Sequence, residues 1–114
     1  MLYTINRITK DYNVILLHLC RLRELADTLG EIGKDIQNDI DKAENQCMNC
    51  LYRFNCVDES LKDRDFRYLN NQVIFATRQM KVFDELVQKV RGDALDLAIF
   101  TNQGMYKGEN EHDL

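Results

Sequence analysis

Three cysteines fall within ten residues, Cys47-Met48-Asn49-Cys50-Leu51-Tyr52-Arg53-Phe54-Asn55-Cys56, and a fourth, Cys20, lies upstream. C-x2-C-x5-C puts three soft thiolates on a short segment, a usual way to begin a zinc or iron–sulfur site. On this reading the metal ligands are Cys47, Cys50, Cys56 and Cys20. Two alternatives remain: reduced core thiols with no cofactor, or a disulfide, for which Cys47–Cys50 is the natural pair.

No other set of residues has catalytic spacing. His18 sits in an apolar stretch and reads as an interface histidine, and His112 as a solvated one. Ser60, the only serine, reads as a helix cap. The glycines are isolated and form no phosphate loop. The carboxylates read as solvated helix faces, without a paired, desolvated site. An enzyme is therefore not the expected reading.

The elements that must position the thiols are helices. The 114 residues are 45% hydrophobic and 30% charged, with no proline and five glycines. A sheet protein of this size needs more turn residues. Ile5, Ile8, Tyr12, Ile15, Leu19, Leu22, Ala26, Leu29, Gly33, Ile36, Ile40, Ala43, Cys47 and Cys50 follow one another at alternating threes and fours. So do Phe66, Leu69, Val73, Ala76, Met80, Phe83, Val87, Val90, Ala94, Leu97 and Thr101. Such spacing is the seam of a coiled coil or slender bundle.

The expected fold is all-α, a long antiparallel helical hairpin. Its helices cover about 5–50 and 60–101, with a cysteine-bearing turn at about 51–59 and Asp58 or Ser60 as the cap. Residues that face each other then have numbers summing to about 112. A single domain covers 1–103, and 104–114 is expected to be a flexible polar tail. Gly30 and Gly33 pose an alternative. Each costs about 1 kcal/mol in a helix interior, and Gly30 has the context of a left-handed C-cap. A break there gives a three-helix bundle, but the seam crosses the glycines without a phase slip, so a continuous or kinked helix is favoured. Cys20 can approach the other thiols only if the chain reverses there.

In the hairpin register, the apolar zone around 14–17 faces 95–98. Ile15, Leu16, Leu19, Leu97, Ile99 and Phe100 then form an interface for a second copy or another protein, since two helices cannot bury so wide a stripe. A first helix that folds back would cover it internally instead. The net charge of −4 argues against a general nucleic-acid surface. Aromatic and basic residues do alternate near the turn (Tyr52, Arg53, Phe54, Arg64, Phe66, Arg67, Tyr68), but Asp58, Glu59, Asp63 and Asp65 cancel their charge. No apolar run is long enough for a membrane span and no signal peptide is recognised. The expected location is the cytoplasm, where thiols stay reduced.

With its distant fourth cysteine, the C-x2-C-x5-C pattern resembles iron–sulfur proteins of two kinds. One is the WhiB-like regulators, which are small helical domains. The other is the iron–sulfur nucleases of the AddB and CRISPR-associated kinds, whose x5 stretch often holds an aromatic and an arginine, as Tyr52, Arg53 and Phe54 do here. The resemblance implies a cluster on Cys20, Cys47, Cys50 and Cys56. The chain departs from both patterns. No glycine-tryptophan turn follows, no proline flanks the cysteines, and no acid has a lysine two positions on. A CxxC at a hairpin tip is also similar to the zinc hook that joins two coiled-coil proteins. The expected function is a non-catalytic helical interaction or regulatory protein whose tip binds zinc or an iron–sulfur cluster. The rivals are a small thiol-redox protein using Cys47 and Cys50, and a structural helical adaptor.

Overall fold

The computed structural model describes the backbone from Leu2 to Asp113 and the side chains from Thr4 to Ile99. The fold is all-α with three helices: α1 (Leu2–Asp27), α2 (Lys34–Lys62) and α3 (Phe66–Asp113). A short 3-10 turn, Gly30–Gly33, joins α1 to α2. The described chain is a rod of 72 × 21 × 18 Å. The 48 residues of α3 set that length, at ~1.5 Å of rise per residue.

The chain reverses at the two glycines, so the three-helix form holds and the continuous first helix does not. Gly30 takes φ 65°, a left-handed conformation that suits glycine. Gly33 is needed for a different reason. A Cβ there would collide with the carbonyl oxygen of Ala26. The reversal brings α1 antiparallel along α2, where Arg23 donates to Glu44 Oε2 at 3.0 Å and Gln37 to Asp27 Oδ1 at 3.2 Å.

The second turn also differs from expectation. The stretch 51–59 is helix, and the turn lies at 63–65. The seam explains this, because its spacing runs on past Cys50 through Phe54, Val57 and Leu61. Phe54 and Val57 are fully buried and Leu61 packs on the core. Arg64 takes the left-handed conformation, φ 55°. Asp65 caps α3 by accepting from Tyr68 N–H at 3.1 Å. Neither expected cap serves: Asp58 pairs with Lys62 at 3.0 Å, and buried Ser60 donates to the Cys56 carbonyl at 2.7 Å. The later turn moves the α2–α3 register. Gln46 donates to Gln79 Oε1 and Arg53 to Gln72 Oε1, so facing residues sum to about 125. The backbone of α3 runs as helix through Asp113, past the expected domain end at 103.

One core runs the length of α2. Ile40, Ala43, Cys47, Cys50 and Val57 are fully excluded from solvent, and Phe54 nearly so. Leu19 and Ala26 of α1 and Leu69, Ala76, Phe83 and Val90 of α3 close over them. At mid-rod Tyr12 bridges the helices, with its ring 4.9 Å from Phe54 and 5.1 Å from Phe83.

Candidate functional site

All four thiols are free. Cys47 and Cys50 occupy seam positions of α2 and are sealed in the core. The Cys47 thiol donates to the Tyr12 carbonyl at 3.4 Å. Burial, reinforced by Cys20, pushes the Cys47 thiol up to about 11. Burial, reinforced by Cys47, pushes Cys50 up to about 11 as well. The bend therefore does bring Cys20 into electrostatic range of Cys47.

Cys56 does not join them. α2 is unbroken through this stretch. Residues advance about 100° around the axis, so nine positions turn Cys56 to the face opposite Cys47. Its neighbour is Tyr52, whose hydroxyl is hydrogen-bonded to it and held protonated. C-x2-C-x5-C chelates a metal only where the chain can loop back, and here it is helix. Among the described residues no group of three or more His, Cys, Asp or Glu side chains is placed to hold a metal ion. The described positions of Cys20, Cys47, Cys50 and Cys56 do not gather them into one such group.

The expected interface residues divide. Leu19 is buried in the core, and Ile15, Leu16 and Leu97 pack against it. The folded-back α1 covers much of the stripe that a bare hairpin would leave open. Ile99 stays exposed, and the side chain of Phe100 lies outside the described residues. His18 is exposed.

Apolar surface remains at the α1–α2 link. Leu22, Leu25, Ala26, Leu29, Ile36, Ala94, Leu97 and Ala98 line an open groove of about 350 Å³. Leu25 is 64% exposed, and Ile32, which lines the adjoining cavity, is 56% exposed. Leu29 is 44% exposed although it holds a seam position.

Beside this groove is a feature the sequence reading missed. Asp39 of α2 is buried, and its Oδ1 lies 3.2 Å from Lys89 Nζ. Asp93, one turn beyond Lys89, shares a hydrogen bond with Asp39. That bond and Lys89 hold Asp39 below the ordinary carboxylate range. The same bond, burial and the charge of Asp39 push Asp93 up to about 6. Asp35, Lys42 and Asp96 complete the charged surroundings. Both acids directly precede seam residues, Ile40 and Ala94. Only the true register brings them together.

The two acids act in opposite senses. Asp93 binds an extra proton in the folded state from about pH 4, its unfolded value, up to about pH 6. Its contribution is full at acid pH and lost as pH rises through about 6. That of Asp39 is present at neutral pH and lost on acidification. Asp93→Asn keeps a donor for Asp39 that never ionises. Urea midpoints of variant and parent should nearly coincide at pH 5, and the variant's should be the higher at pH 7.5. An equal difference at both pH values would rule out the shared proton.

The geometry defines the class: an all-α protein of three antiparallel helices with a continuous apolar seam. No protein-family model, curated protein or solved structure matches the chain.

Proposed function

We propose that this is a non-catalytic helical interaction protein that works by self-association, with its cysteines serving as core residues. The observation that carries this reading is the apolar opening at the α1–α2 link. Leu25 and Leu29 line it, Ile32 lines the adjoining cavity, and all three are more than two-fifths exposed. Exposed apolar surface collected in one place usually marks an interaction site. A second copy presents the same surface, and two-fold pairing of like surfaces is the commonest closed arrangement. No helix among the described residues is long and apolar enough to cross a membrane.

The thiol-redox reading has less support. An attacking cysteine needs a thiolate and access, and Cys47 and Cys50 have neither. The seam gives both an ordinary role as small buried apolar groups.

The test is a double charge substitution, Leu25→Glu with Ile32→Glu. Both side chains are mostly solvent-exposed, so the monomer fold should survive. The expected result is monomer mass in sedimentation, with the helical signal unchanged. A variant that sediments like the parent would refute the interface.

A further inference from the structure

The link between α1 and α2 is bent in the structure and straight in its sequence pattern. Ala26, Leu29, Gly33 and Ile36 keep the 3–4 spacing through the turn, as if the helix never stopped. The backbone departs little from helix. Leu29 (φ −87°, ψ −6°), Gly33 (φ −84°, ψ −6°) and Lys34 (φ −62°, ψ −43°) are all right-handed. Gly30, at φ 65°, is the one residue of the link with positive φ. Moving Gly30 into the right-handed well, with small adjustments beside it, makes residues 2–62 one helix of about 90 Å.

We infer that α1 is an exchangeable arm: with Gly30 straightened, it leaves its own α2 and packs on the α2 and α3 of a second copy, giving an antiparallel, arm-swapped dimer. This rests on the reading of the protein as a self-associating one and names how it associates.

Three observations favour this occupant. First, the contacts of α1 carry over unchanged. Tyr12 against Phe54 and Phe83, and Arg23 against Glu44, form as well between copies as within one. Exchange of an identical element is a low-cost route to a dimer. Second, the straight helix accounts for Leu29. It holds a seam position yet is 44% exposed in the bent form. On a continuous helix it lines the groove between the paired copies. Third, α3 overshoots. Ile32 and Ile36 face Asp93 and Leu97 across one cavity, so α2 begins opposite the region of Leu97. The α3 backbone nevertheless continues to Asp113, roughly 24 Å further. In the closed form neither α1 nor α2 extends alongside that stretch. In the swapped dimer the straightened α1 continues in line with α2 and runs beside it. The second copy's α3 lies on the other side, so the middle of the dimer is a four-helix bundle.

The two glycines set the balance. Gly30 supplies the left-handed turn, and Gly33 allows the close pass under the Ala26 carbonyl. The closed form needs both, whereas the straight helix needs neither. Gly30→Ala disfavours the bend and favours the helix, and each dimer contains two such sites. It should tighten dimerisation by at least about tenfold.

The experiment mixes isotope-labelled and unlabelled copies of the wild-type chain, unfolds and refolds them together, and reads through-space NMR contacts between copies. The swap predicts Tyr12–Phe83 and Tyr12–Phe54 ring contacts across copies, increased by Gly30→Ala. It also predicts their loss when a flexible Gly-Gly-Ser-Gly insert after Gly30 lets the arm fold back. A dimer whose Tyr12 contacts stay within one copy would overturn the exchange and leave self-association standing. A chain that is monomeric at every concentration would overturn both.

Discussion

Phe54→Ala is expected to cost about 3–5 kcal/mol, the usual range for deleting a large buried aromatic side chain. Phe54 is 1% exposed at mid-rod, and the Tyr12 ring meets it edge-on at 4.9 Å. The cavity would lie where α1, α2 and α3 are joined. No bulky side chain nearby is free to fill it, since Cys50 and Val57 are already fully packed. Against a typical total of 5–15 kcal/mol for a domain, the loss is large. It should appear as a much lower urea midpoint in far-UV circular dichroism, at one fixed protein concentration. Tyr52→Ala is the control. Tyr52 is two positions away on the same helix but 63% exposed, and the change should stay within about 0.5 kcal/mol. Similar losses for both would contradict the placement of the core.

Gly33→Ala carries the second large effect. The added Cβ meets the Ala26 carbonyl oxygen, a backbone atom that can move only with its helix. Overpacking of this sort costs about 1–3 kcal/mol. Gly92→Ala should have the opposite sign. A Cβ at Gly92 meets nothing within 4 Å and lies mid-helix, so alanine should stabilise by about 0.5–1 kcal/mol. Urea melts of the two variants at low concentration separate the cases. A neutral Gly33→Ala would mean that α1 does not pass so close to the turn.

Gly30 and Gly33 also mark the limit of what the chain shows unfolded. The helical class, the seam and most of the core were legible, because 3–4 spacing is local. The bend was legible only as an alternative. Gly30 and Gly33 signal a stop, while Ala26, Leu29 and Ile36 signal continuation, and packing of α1 on α2 decides between them. The second turn was misplaced because cysteines and aromatics suggested a tip. Phe54, Val57 and Leu61 nevertheless carry the seam through that stretch. That displacement had consequences for chemistry. It puts all three cysteines on one unbroken helix, Cys47 and Cys50 together on the seam and Cys56, also buried, on another side of it. It also hid the Asp39–Asp93 pair, which no spacing within either helix reveals. The apolar zone, read from sequence as the interface for a second copy or another protein, is in large part packed within the chain. Much of its cover is α1, and the surface still open lies nearer the link than expected.

Sedimentation equilibrium of the unmodified chain over a wide concentration range tests the central claim most directly. A self-associating helical protein should reach twice its 13.4 kDa as concentration rises, and Leu25→Glu with Ile32→Glu should return it to the monomer. A wild-type chain that keeps the mass of one copy at every concentration, fully helical, would contradict the account.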